Sequence, residues 1–138
     1  MLKKRILAID VGRKRIGVAQ SDSLQMLASP IGTFSPQEFY LKLDIWLKTI
    51  EYECIVVGWP LTLAGTEGES VHMVKSFIGE LKKKVGDLPI HTRDERFTST
   101  IATQALRDSG KSKNIKKNKG LIDSAAAVVL LQDFLNNK

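Results

Sequence analysis

One cysteine in 138 residues excludes an intramolecular disulfide framework. Cys54 sits in the apolar run ECIVVG, the setting of a buried strand residue in a protein of a reducing compartment. Histidine is almost as scarce: His72 and His91 have no cysteine at ligand spacing, which argues against zinc and for ordinary surface or core histidines. No apolar run approaches the roughly 20 residues that a membrane-spanning helix needs. The start, MLKKRILAID, lacks the longer apolar segment and small-residue cleavage site of a secretory signal. The expectation is a cytoplasmic protein without membrane contact. Acidic residues are also in deficit, 15 against 21 Lys and Arg, leaving a formal charge of +6 that favours a polyanionic partner. With 43% hydrophobic and 26% charged residues the composition is that of a soluble globular chain, and its length suits one domain over 1–138 without linker or repeat.

Residues 5–11 and 15–20 read as two strands joined by the turn GRKR, a hairpin signal. A third extended segment spans about Met26 to Phe34, where Pro30 and Gly32 predict an irregular or edge strand. Ser35, Pro36 and Glu38 form a capping box at the start of a helix whose apolar face carries Phe39, Leu43, Trp46, Leu47 and Ile50. The short strand CIVVG follows, then the glycine-rich loop WPLTLAGTEGES. The next helix places Val71, Val74, Ile78, Leu81 and Val85 on one face and stops at Gly86. LPIHTRDE closes a second helix–strand unit. A further helix is expected over about Ser99 to Asp108, ending at Gly110, then a loop KSKNIKKNK and a last helix from near Gly120. AAAVVLL is apolar on every side, so that helix is expected to be buried against the sheet. Hairpin strands followed by alternating helices and strands imply an α/β protein with a mixed sheet covered by helices.

Three acids lie at the mouths of three different elements. Asp10 ends an apolar strand whose alternation places Ile6, Ala8 and Asp10 on one face, and an ionised carboxylate there needs a partner. A metal ion, Arg13 or Arg15 in the turn, or simply water where the strand ends would supply one. Asp123 falls in the first turn of the last helix, where it suits the helix dipole. Ala126 and Ala127, one turn on, let that helix approach the sheet closely enough for the two carboxylates to meet. In IHTRDERFTS the third acid is Asp94 or Glu95, because consecutive strand residues face opposite ways; an ion pair with Arg93 or Arg96 is the structural alternative for Glu95. Three acids with open coordination positions suit Mg²⁺ or Mn²⁺, which prefer oxygen ligands and bind substrate phosphates. Such ions support phosphodiester hydrolysis with little demand for a His or Ser nucleophile.

Arg13, Lys14 and Arg15 form one basic cluster, and Lys111, Lys113, Lys116, Lys117 and Lys119 another just before Asp123. As a solvated loop such a run carries no function. Beside the acids, these residues together with Arg96 would grip a nucleic-acid backbone through phosphates, with steep salt dependence and little sequence information. The WPLTLAGTEGES loop offers backbone amides to a phosphate, and Trp59 is either a core residue or a base-stacking platform.

Taken together, AIDVGRKRIGVAQSD, VVGWPLTLAGTEGES, RDERFTS and KGLIDSAAAVVLLQDFL resemble, in order and spacing, the motifs of the YqgF/RuvX family over nearly the whole chain. The resemblance implies a ribonuclease H-like fold with a five-stranded mixed sheet, kinship with Holliday junction resolvases, and a cytoplasmic nuclease maturing the 5′ end of pre-16S rRNA. Carried over by motif, the family's acids fall on Asp10, Glu95 and Asp123, which favours Glu95 over Asp94. This chain departs from the family at Thr62 and Ala64 in PLTLAG and adds charge at Arg13. The alternatives are resolution of branched DNA by a homodimer rather than a monomer, and a non-catalytic nucleic-acid-binding factor in ribosome assembly or transcription. DVGRKRIGVA also has a likeness to the phosphate hairpin of actin-like ATPases, but those need a second lobe for which this chain has no room.

Overall fold

Ile6, Leu7, Ala8 and Ile9 are all fully buried, because β1 (Arg5–Val11) runs through the middle of a sheet covered on both faces. The computed structural model describes residues 4–12, 14–59, 69–94 and 119–137. The other strands are β2 (Ile16–Ser21), β3 (Ala28–Phe34), β4 (Tyr52–Trp59) and β5 (Ile90–Asp94), and the helices are α1 (Pro36–Thr49), α2 (Glu69–Val85) and α3 (Lys119–Asn136). Strand order is β3-β2-β1-β4-β5. The hairpin strands β1, β2 and β3 pair antiparallel, while β4 and β5 add in parallel, as their helical crossovers require. This is the mixed, helix-covered sheet expected. The expected helix over 99–108 and the loop before Lys119 lie outside the described residues, as does the loop that follows Trp59.

Alternation along β1 separates two cores. Leu7 and Ile9 join Val18, Ile55 and Val57 against Phe39 and Leu43 of α1 and Val74, Phe77 and Leu81 of α2. Ile6 and Ala8 join Ala19, Cys54 and Val56 against Ala127, Leu130, Leu131 and Leu135 of α3. Thus α1 and α2 cover one face and α3 the other. The centre of the α2 stripe falls on Phe77 rather than Ile78, which is only partly buried; Phe77 reaches the Phe39 ring at 5.6 Å. In α3, Ala126, Ala127, Leu130, Leu131 and Leu135 are buried while Val128 and Val129 are half-buried. The helix is buried against the sheet as expected, packing one flank on it.

Local chemistry sets the boundaries. Ser35 caps α1 as expected, its Oγ accepting from the Glu38 amide at 3.3 Å, while the Glu38 carboxylate takes the Ser35 hydroxyl, Oγ to Oε1 at 3.0 Å, in place of the backbone amide of a full capping box. Gly86 ends α2 in the left-handed conformation, φ 64°. At the outer edge, a register shift between Val18 and Ala19 leaves Ile31 as the extra residue of β3, flanked by Pro30 and by Gly32 at φ 148°. β3 starts at Ala28 rather than Met26 because the Met26 and Leu27 amides donate to Asp22 Oδ1, at 2.8 and 3.0 Å. Those two bonds hold the Asp22 carboxyl below its ordinary pKa.

Candidate active site

Asp10 is the next-to-last residue of β1 and half-buried, on the α3 face with Ile6 and Ala8. Its partner across the hairpin is Gly17. On the other side, one step beyond the Ile9–Val57 pair, comes Gly58. Both glycines are buried, so neither cross-strand neighbour adds a side chain beside the carboxylate. Small residues continue below it, where Ala8 pairs with Ala19 and the two lie in one core with Ala127. Short side chains let α3 lie close to β1 at this end. We predict that Ala127→Leu, forcing about three carbons into a filled contact, destabilises the protein by about 1–3 kcal/mol. Chemical denaturation measures this.

Helical spacing puts position 123 on the stripe of Ala127, Leu130 and Leu131, the flank that meets the sheet. The last turns are tied down at both edges. Gln132 accepts from the Ala28 amide and donates to the Met26 carbonyl, each at 3.1 Å, at the start of β3. Arg93 of β5 meets Asp133, Nη2 lying 3.2 Å from both its carbonyl and Oδ2, and its guanidinium stands 5.4 Å from the centre of the Phe134 ring. Ala28 pairs with Ser21, at the end of β2 remote from Gly17 and Asp10. α3 thereby has its C-terminal half at the far end of β2, with its earlier turns extending from there.

The basic turn follows Asp10 directly. Gly12 donates its amide to the Arg15 carbonyl at 2.8 Å, closing the loop, and Lys14 and Arg15 are exposed. A Cβ at Gly12 would stand 2.7 Å from that carbonyl oxygen, so the turn requires glycine there. Lys119 opens α3. Arg13, Glu95, Arg96, Lys113, Lys116 and Lys117 lie outside the described residues, and Asp94 ends β5 opposite Trp59. Among the described residues, no three His, Cys, Asp or Glu side chains converge as a metal cluster. Of the sequence candidates, the structure places Asp10, Lys14 and Arg15 together at one end of the sheet.

Two readings become definite. Trp59 is half-buried against the core, with the Lys75 ammonium 6.0 Å from its ring centre, so it packs as part of the fold. His91 rests on Phe134, ring centres 5.7 Å apart, the ordinary role expected of it. Sequence reasoning missed the partner of Arg93. Asp133 is forty residues away, while the ion pair considered with Glu95 falls outside the described residues. The alternation that sends His91 and Arg93 to one face of β5 was the available signal.

A family model described as "RuvX: Holliday junction resolvase" matches residues 4–137. A Salinibacter ruber protein named "Putative pre-16S rRNA nuclease" is 42% identical over 132 residues, covering 96% of this chain and 92% of its own. A Chlorobium phaeobacteroides protein of the same name is 40% identical over 134 residues, covering 97% and 93%. Among solved structures, Thermus thermophilus RuvC in complex with a Holliday junction substrate aligns with a TM-score of 0.54 at 13% identity, covering 95% of this chain and 93% of that one. At that identity the likeness is one of fold, and it makes the five-stranded sheet ribonuclease H-like. With the family model spanning almost every residue and full-length relatives at 40% identity or more, this chain belongs to the RuvX family.

Proposed function

We propose that this chain is a metal-dependent endonuclease that matures the 5′ end of pre-16S rRNA in the cytoplasm, with Asp10, Glu95 and Asp123 as its catalytic acids. The observation that carries the reading is the placement of Asp10, half-buried at the mouth of the central strand, on the face against which α3 packs Ala127, Leu130 and Leu131; helical spacing from these residues gives position 123 the same side of the helix. Nothing in hydrophobic packing needs a carboxylate there, and a hard cation suits one. For the third acid, the two-residue period that brings His91 and Arg93 to α3 favours Glu95 over Asp94 on sequence grounds. The names carried by the relatives support the substrate.

The donor set fits Mg²⁺ or Mn²⁺: oxygen ligands only, with glycines rather than bulky groups beside Asp10. Bound by these acids, the metal would activate the attacking water and stabilise the leaving oxygen of the phosphodiester. The protein's own residues do the rest. Asp10 is held in place by the β1–β2 and β1–β4 ladders, and the short side chains under α3 keep the helix close. Arg13, Lys14 and Arg15, immediately past Asp10, hold the backbone across the site, with Arg96, Lys113, Lys116, Lys117 and Lys119 extending that grip.

The test is cleavage of 5′-extended 16S precursor, free and within a ribosomal particle, in Mg²⁺, Mn²⁺ and chelator. Chelation is expected to abolish cleavage and either ion to restore it, while RNA affinity falls steeply between 50 and 200 mM salt, by about 10³-fold or more if six or more phosphates are contacted. Cleavage that persists in chelator would sink the metal mechanism. The family description and the RuvC likeness favour a second reading, resolution of branched DNA by a homodimer with paired sites. A monomer in sedimentation that leaves a four-way junction intact would exclude it.

A further inference from the structure

Successive residues of α3 are tied to opposite edges of the sheet. Gln132 bridges Met26 and Ala28 at the start of β3, while Asp133 and Phe134 take Arg93 and His91 of β5. Apolar packing places a helix on its flank, but dispersion contacts have no preferred direction and fix the fine rotation less sharply than hydrogen bonds do. Polar ties about 100° apart around the axis sharpen that rotation. The consequence reaches the far end of the helix. From Gln132 to position 123 is about 13.5 Å along the axis, and a rotation of about 10° moves a group 5–6 Å off the axis by about 1 Å. A displacement of that size in a reacting constellation costs on the order of 10²-fold in rate.

Arg93 is suited to this task more than to stabilisation. Its pair with Asp133 is partly solvated, the two side chains being 30% and 60% exposed, so its contribution to folding is small. Its Nε is buried with no hydrogen-bond partner among the described residues, which lowers that contribution further. Arg93 also sits opposite Gly58 in the β4–β5 register, the glycine that neighbours Asp10. The clamp therefore joins α3 to β5 in the same row of the sheet as the proposed metal ligand.

Resting on the nuclease reading above, we propose that Arg93 and Asp133, with Gln132 on the opposite edge, are positioning residues that set the rotation of α3 and so bring Asp123 to the metal with Asp10. The experiment compares full-length wild type with Arg93→Gln, Asp133→Asn and the double variant, with Lys83→Gln, which breaks a comparable exposed pair on α2, as control. Mn²⁺ binding is read by titration calorimetry, single-turnover cleavage of precursor RNA on a gel, and folding by thermal melting. Each single variant is expected to weaken Mn²⁺ binding and the maximal cleavage rate by about 10- to 100-fold. KM for RNA stays within about twofold, and the melting midpoint moves by only a few degrees. The double variant is no worse than the worse single, as for two partners of one contact. Mn²⁺ affinity equal to wild type in both singles overturns the proposal, as does a raised KM with unchanged rate in Arg93→Gln, which would assign Arg93 to the RNA backbone. Wild type that cleaves nothing, with Mn²⁺ affinity lost in the variants as expected, would remove the nuclease reading and leave the clamp standing.

Discussion

Asp10→Asn is expected to lower precursor cleavage by about 10³-fold or more, because in the proposed mechanism an amide in place of the charged metal ligand removes several kcal/mol of metal binding and transition-state stabilisation. The fold should survive. The amide has the shape of the carboxylate, the position is half-buried rather than enclosed, and its neighbours across the sheet are glycines. RNA affinity should also hold, since the proposed grip on the backbone is made by the basic residues beyond β1. Cleavage rate, melting temperature and RNA binding, measured on the same preparation, separate these effects. A variant that keeps wild-type cleavage removes Asp10 from the mechanism; one that fails to fold assigns it to the framework instead.

Phe39→Ala is expected to do the opposite. Phe39 is fully buried on the α1–α2 face and lies against the rings of Tyr40, Trp46 and Phe77 at 5.3 to 6.3 Å, so truncation leaves a large cavity. The cost is about 3–5 kcal/mol, a large share of the total for a chain of this size. A fall of about 10–20 °C in melting temperature should follow. Below that transition, cleavage per folded molecule should stay within about twofold, because Phe39 is on the face of the sheet away from Asp10. Loss of activity in a fully folded Phe39→Ala protein would show that the two faces are coupled, contrary to the division of labour argued for them.

Local signals were the most legible. The period of two in RILAID placed Asp10 with Ile6 and Ala8, and the structure has Ile6 and Ala8 in the core under α3. Ser35 and Glu38 announced the start of α1, and Pro30 with Gly32 announced an edge strand, since each acts through its own backbone. What stayed hidden depends on residues distant in sequence. Arg93 meets Asp133 forty positions away, and Gln132 caps β3 across 104 positions. Apolar periodicity shows that a helix has a buried flank but not which strands it crosses, so it gave no hint that α3 ties both edges of the sheet. The apolarity of AAAVVLL did announce a helix packed on the sheet, although the valines at the margin of its packed flank remain half-buried.

The most direct test of the central claim is the 5′ end itself. Wild-type protein is incubated with 5′-extended 16S precursor, free and particle-bound, in Mg²⁺ or Mn²⁺, and the products are mapped to the nucleotide by primer extension. Metal-dependent cleavage that creates the mature 5′ terminus, absent with Asp10→Asn, is the result this account predicts. An uncut precursor in both ions and both forms, with the RNA demonstrably bound, would contradict it and make the chain a binding factor rather than a nuclease.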